Sequence, residues 1–576
     1  QSFSRYGERQ MAYDLIVKNG MIIDGSGGAR YRGDIGVKDG KIATIGRINA
    51  PSDDIVDAEG HVVSPGFVDG HTHMDAQIFW DSLGTCSCYH GVTSVVMGNC
   101  GFTLAPCREE EVDYVFRNLE RAEDISRAAM SEGITWQWET YPEYLDVIDK
   151  LPKGMNYAGY VGHSALRTYV MGERAFDEQA TEDDLKAMVA NVQDSVKAGA
   201  IGFSTSRSTA HLQPDNRPVA SRIADFSEVA AIVNGMGDIG AGIFQLAMDR
   251  GTNEELCAHY DRIVNLSKES GRPITFGSLT RRSNPGAWKD LYDIVEQGNL
   301  DGARIFTQVH AREINVILSF QTQLPFDNWP VWSEMRKLPL EQQKAALRDG
   351  EMKQKLIHSA TTTKSNSTTT GGEARPPEWE YFYHMDSVTW PHRSMADIAR
   401  ERGVEPIEAM IDIALEHDLK TFFRQPISNE DEEGALAIMK HPRSVVTFSD
   451  SGAHVSQIMD SSLQTHLLSH WVRERQEFSL EQAVRMITYD TATSWGFHDR
   501  GLLREGMAAD IVVFDPERIT PQMPTVEHDL PAGAQRLKQL ADGIAATIIN
   551  GQVVLRDNVH TGALPGQLLR GPLART

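Results

Sequence analysis

Apolar and polar positions along the chain fall into two textures. From Tyr13 onward, and again between Asp510 and Leu555, short apolar runs alternate with Gly, Asn and Asp, as in Leu15-Ile16-Val17, Ile35-Gly36-Val37 and Ile511-Val512-Val513-Phe514. Such runs are strands bounded by turns. In the first of them Lys18-Asn19-Gly20-Met21 predicts a hairpin closed by an Asn-Gly turn. Because the texture recurs at both ends, 11–64 and 505–560 are expected to form one small β-domain, with the rest of the chain inserted into it.

Between the ends, eight apolar runs predict strands at 66–73, 93–99, 155–162, 200–204, 242–247, 273–279, 304–309 and 445–449. Stretches of helical period separate several of them, notably 182–198, 227–234, 253–270 and 287–297. Eight strand–helix units predict the α/β class and a TIM-type (β/α)8 barrel over 65–504, with its chemistry at the carboxyl ends of the strands. From the seventh strand to the eighth the chain runs about 135 residues, far beyond a barrel loop. This insertion between strands 7 and 8, 311–440, holds Phe326, Trp329, Trp332, Trp379, Tyr381, Phe382, Tyr383 and Trp390, and a polar tract from Thr361 to Gly372. It reads either as a lid with a mobile edge or as a subdomain whose aromatics form their own core.

The strand ends carry the candidate chemistry. His71 and His73 close the first strand, and at i and i+2 of an extended chain they share a face. Cys100 follows the second strand, His163 the third, His310 the seventh and Asp450 the eighth. A bare His-x-His pair is often structural, but a barrel gathers all these groups at one mouth, and the set favours a metal, zinc first. Gly235-Met236-Gly237-Asp238-Ile239-Gly240 imitates a dinucleotide-binding loop, yet it follows a helix and precedes a strand, the reverse of the required context. It is expected to be a helix-to-strand loop.

Composition narrows the classes. The 576 residues carry a formal charge of −24, which disfavours nucleic acid or an anionic membrane as a partner. No apolar run reaches the roughly 18 residues of a membrane span. Gln1 to Gln10 read as an appended segment before a natural start at Met11, without a signal sequence behind it, so a cytoplasmic location is expected. Five cysteines are too few and too odd a set for a disulfide framework. Nothing in the sequence decides whether the chain forms a homo-oligomer.

Several motifs together resemble the amidohydrolase superfamily, and within it the N-acyl-D-amino-acid deacylase (D-aminoacylase) group. They are Pro65-Gly66-Phe67-Val68-Asp69-Gly70-His71-Thr72-His73, Met97-Gly98-Asn99-Cys100-Gly101-Phe102, Gly162-His163-Ser164-Ala165-Leu166-Arg167, Ser449-Asp450-Ser451-Gly452-Ala453-His454 and Gly506-Met507-Ala508-Ala509-Asp510. The resemblance implies a barrel carrying a β-sandwich, one or two zinc ions, and hydrolysis of a small-molecule amide. It implies that His71, His73 and Asp450 hold a metal, that Cys100 adds a thiolate, and that Asp450 serves as the base. Members of the group also carry ligand histidines on the fifth and sixth strands, and here 242–247 and 273–279 contain none.

One firmly bound zinc is therefore expected. His163 or His310 could complete a second site, or His163 could meet substrate. His454 is a candidate to orient Asp450 or to contact substrate. Arg167 and Arg207 are candidates to clamp a substrate carboxylate. Two other readings stay open: a hydrolase of cyclic amides, carbamates or lactones, and a non-catalytic binding protein on a degenerate barrel.

Overall fold

Eight parallel strands build the centre of the molecule, seen in a computed structural model that describes residues 13–248, 252–363, 375–389 and 391–574. The expectations for Gln1 to Gln10, Met11, Trp390 and 364–372 of the polar tract lie outside the described residues. The strands are β1 (Phe67–Asp69), β2 (Val92–Met97), β3 (Asn156–Gly162), β4 (Gly202–Ser206), β5 (Ile243–Ala247), β6 (Ile274–Gly277), β7 (Ile305–Val309) and β8 (Ser444–Val446). They pair in chain order, every ladder parallel. Residues of β2 and β3 are buried without alternation, as expected where a parallel sheet is covered on both faces.

Between β1 and β8 there is no ladder, and the seam of this TIM-like barrel is closed otherwise. Thr447 Oγ1 donates to Asp69 Oδ1 at 2.8 Å and accepts from Gly70 N at 2.7 Å, and Thr72 forms a single parallel bridge with Ser451. β1 is thus shorter than its apolar run suggests. His71 and His73 lie past its end, on an extended segment flanking that bridge.

Helices Glu182–Ala198 and Asn253–Ser270 span the residues expected of them, each started by a capping box on Thr181 or Thr252. Helix Phe226–Asp238 runs further than expected, because Met236 extends its buried face. Gly235 to Asp238 of the glycine run are therefore helical rather than loop.

Strands from both chain ends share one nine-stranded sheet, in which Val62–Pro65 pairs with Tyr13–Ile22 on one side and Ile511–Phe514 on the other. The Asn19-Gly20 hairpin is not formed. Tyr13–Ile22 is a single strand with a bulge between Val17 and Gly20, and its partner is Tyr31–Lys38. Gly20 is needed there for clearance, since a Cβ would meet Val63 Cγ2 at 2.3 Å.

The insertion holds a three-stranded sheet (Ile314–Leu318, Phe422–Ser428, Tyr383–Met385) and several helices. Phe326, Trp332 and Phe382 are buried with Leu318, Leu324 and Phe423 in a cluster drawn from the insertion alone. These three aromatics thus anchor a core within the insertion, while Tyr381 is exposed and Ile314, Val316 and Ile427 face the barrel mouth. Among the described residues, no helix is long and apolar enough to cross a membrane.

Candidate metal centre

Three strand ends bring His71, His73, Cys100 and Asp450 together at the barrel mouth. The ligand atoms of His71, His73 and Cys100 all lie within 4.8 Å of one another, with Cys100 Sγ 3.4 Å from His71 Nε2. Asp450 Oδ1 stands 3.1 Å from His71 Nε2 and 3.4 Å from His73 Nε2. Backbone bonds across the seam hold the set, with Asp450 N donating to His71 O and His73 N to Ser451 O. Gly452 makes the turn behind Asp450 at φ 97°, where a Cβ would strike His73 O at 2.5 Å.

Supporting side chains orient these groups. Gln308 on β7 accepts from His71 Nδ1 at 2.6 Å while its amide nitrogen donates to Thr275, so the lone pair of His71 sits on Nε2. Cys100 adopts a left-handed backbone at φ 56°, and its N–H donates to Gln245 Oε1 at 2.7 Å. Gln245 belongs to β5, one of the two strands on which the sequence resemblance implied a ligand histidine. At the end of β6 the space is apolar: a Cβ on Gly277 would meet Phe448 at 2.6 Å, and the Phe448 ring lies 4.2 Å from His71.

The charges of the set suit a cation. Burial disfavours the Asp450 carboxylate, but His71 and His73 beside it prevail and hold it well below the usual carboxylate range. Burial, with the charges of Glu123 and Asp450, pushes the Cys100 thiol up, so a thiolate there requires a positive neighbour. Asp450 Oδ1 is buried without a hydrogen-bond partner among the described residues. With zinc bonds of about 2.0–2.3 Å, ligands of one ion stand roughly 3.2–4 Å apart, close to the 3.4 Å between Cys100 Sγ and His71 Nε2 and the 3.1 and 3.4 Å from Asp450 Oδ1 to the two imidazoles.

Two residues outside the expected set face the same cavity. Glu123, from the turn after helix Val112–Leu119, has Oε2 3.6 Å from His73 Nε2 and 3.9 Å from His454 Nε2. His211, from the loop after β4, has Nε2 4.0 Å from Glu123 Oε1. The strand-end rule that found His71 also applies to His211, five residues past β4. Glu123 carries no comparable signal, because only tertiary packing buries it. The cavity has a volume of about 570 Å3, with walls that include Leu256, Tyr260, Trp288 and Leu291, and Arg281 lies at its edge.

Four expected residues are placed elsewhere. His163 is fully buried with both ring nitrogens engaged, Nδ1 by Thr205 Oγ1 and Nε2 by Glu228 Oε1, each at 2.8 Å, so it has no atom left for metal or substrate. Arg167 is equally buried and spends its guanidinium on Glu228 and the carbonyls of Ala175 and Glu178, which removes it as a carboxylate clamp. Arg207 donates to Ala224 O and is not among the residues lining the cavity. His310 is buried behind the mouth, with Nδ1 against the Arg312 backbone and Nε2 unpartnered among the described residues. His454 does line the cavity.

Comparison with known proteins identifies the family and the fold. Residues 54–555 match the amidohydrolase family, and residues 2–66 the N-terminal domain of the urease alpha-subunit. An N-acyl-D-aspartate deacylase of Alcaligenes xylosoxydans xylosoxydans is 26% identical over 96% of this chain and 95% of its own. A D-aminoacylase structure, described as having a binuclear metal centre with one-metal activation and second-metal attenuation, is similar with a TM-score of 0.65 at 23% identity, over 97% of this chain and all of its own. The N-acyl-D-glutamate deacylase of Bordetella bronchiseptica, complexed with zinc and a phosphonate inhibitor, has a TM-score of 0.64 at 23% identity with the same coverage. With its match extending over residues 54–555, the chain belongs to the amidohydrolase family.

Proposed function

We propose that this chain is a metal-dependent amide hydrolase acting on N-acyl-D-amino acids or similar small amides, with a zinc ion held by His71, His73, Cys100 and Asp450. The observation that carries the reading is the cluster of His71, His73 and Cys100 on the wall of one large cavity, with Asp450 Oδ1 beside both histidines. When bound, zinc supplies Lewis acidity for the scissile carbonyl and lowers the pKa of water from 15.7 toward about 7. Asp450 accepts the proton of the attacking water and returns it to the leaving nitrogen. Gln308 keeps His71 in the tautomer that presents Nε2, and Gln245 fixes the Cys100 turn.

Substrate selection follows from the cavity walls. Arg281 provides the guanidinium for a substrate carboxylate, in place of Arg167 and Arg207. The apolar wall of Leu256, Tyr260, Trp288 and Leu291 receives the acyl group or side chain. We take 11–64 with 505–560 as a supporting β-sandwich domain, 65–504 as the barrel, and 311–440 as an insertion that walls the cavity. A screen of N-acetyl and N-formyl amino acids of both hands is expected to show turnover with a D over L preference. Turnover confined to cyclic amides, carbamates or lactones would replace the proposed substrate class.

A further inference from the structure

We propose that Arg282 is a positioning residue for substrate recognition: it fixes the loop carrying Arg281 against the insertion, so that the insertion sets where the substrate carboxylate binds. The inference rests on the assignment of Arg281 as the clamp and adds to it. Both arginines lie on the loop between β6 and helix Trp288–Leu300. Arg281 lines the cavity, and Arg282 does not.

Glu430, Glu378 and Tyr381, all of the insertion, receive the Arg282 guanidinium. Nη1 donates to Glu430 Oε1 at 3.1 Å, Nη2 donates to Glu378, and the central carbon lies 3.8 Å from the centroid of the Tyr381 ring. The Arg282 N–H donates to the other oxygen, Glu430 Oε2, at 3.4 Å. A flat, forked cation can meet two carboxylates and an aromatic face at once, which a lysine ammonium cannot.

A second tie stands beside the first. Asn429, at the end of strand Phe422–Ser428, donates through its N–H to Thr280 O at 2.7 Å and accepts on Oδ1 from Thr280 N at 3.2 Å. Its Nδ2 donates to the carbonyls of His310 and Arg312 at 2.9 and 3.0 Å. The same strand fastens the segment that carries Glu378, since Gln425 Oε1 accepts from Glu378 N and Gln425 Nε2 donates to Pro376 O, each at 3.1 Å. It also contributes Phe423 to the core of the insertion. Thr280 and Arg282 are thus both anchored to the insertion, with Arg281 held between them. A charged hydrogen bond to a carboxylate is directional, so a small displacement of Arg281 weakens binding while leaving the groups around His71 in place.

The test combines steady-state kinetics on N-acetyl-D-leucine and its primary amide with amide hydrogen exchange across 278–284 in the substrate-free protein. R282M is expected to raise KM for the carboxylate-bearing substrate about 5- to 20-fold, with kcat changed less than about 2-fold and KM for the primary amide unchanged. Exchange across 278–284 should become at least about 10-fold faster. R282K, which keeps the charge and loses the fork, should fall between R282M and the intact protein in both readouts. E378Q combined with Y381L, at exposed positions, should shift both readouts in the same direction and serves if R282M does not fold by circular dichroism. Unchanged exchange, or unchanged KM in the Arg282 variants where R281M raises it, overturns the inference and leaves the clamp standing. Unchanged KM in R281M, or no turnover of either substrate by the intact protein, removes the reading beneath the inference and takes the inference with it.

Discussion

Two buried histidine–carboxylate clusters sit near the barrel mouth, and they differ in how their atoms are matched. In the first, Glu228 accepts from His163 and Arg167, and Arg167 also serves two backbone carbonyls, leaving only its Nε unpartnered among the described residues. In the second, the carboxylates of Asp450 and Glu123 face imidazoles at 3.1–4.0 Å while Asp450 Oδ1 and Glu123 Oε1 lack hydrogen bonds. The residue types are nearly the same. A closed network of this kind locks helix to strand, whereas an open one at ligand spacing is built for something added.

That contrast breaks most sharply at Asp450. Asp450→Asn is expected to lower kcat on an N-acyl-D-amino acid about 10^2- to 10^4-fold with KM nearly unchanged, measured by steady-state kinetics. The closed cluster should respond in stability instead. Arg167→Met leaves Glu228 buried beside a lost partner and should cost about 3–5 kcal/mol in denaturant unfolding, with bound metal per folded chain unchanged. Equal metal loss in both variants would erase the distinction.

Arg281→Met sharpens the assignment of the cavity edge. The loss of a charged hydrogen bond, about 1.5–3 kcal/mol, should raise KM roughly 10- to 150-fold for a carboxylate-bearing amide, and far less for the corresponding primary amide. The smallest effect concerns pH. Burial disfavours the charged form of Glu228, but His163 and Arg167 prevail and bring its pKa from 4.5 down to about 2. The unfolded chain then binds more protons than the native one between those values. Stability from this group is complete above pH 4.5 and is lost as pH falls toward 2. Glu228→Gln should flatten that part of an acid-unfolding profile.

Much of the architecture was legible because buried parallel strands are continuous apolar runs, and helices 182–198 and 253–270 announce themselves through their caps. His71, His73, Cys100 and Asp450 were legible because a barrel gathers whatever follows its strands. The same rule misplaced His163 and Arg167, since their partner Glu228 stands more than 60 positions away in a helix and periodicity does not foretell such a pairing. Glu123 was invisible for a related reason: an acidic residue in a turn is ordinarily solvated, and only the 453–457 loop closing over it makes it buried. The Asn19-Gly20 signal misled because Val63, from a strand forty residues on, demands a glycine at that crossing.

The unladdered seam between β1 and β8 carries a consequence for how the molecule matures. Asp69 and Thr447, which meet there, are 378 positions apart, and His71 and Asp450 stand just beyond them. His71, His73 and Cys100 follow the first two barrel strands, but Asp450 joins them only when the last strand docks against the first. Closure of the ring and completion of the four-residue cluster are thus one event.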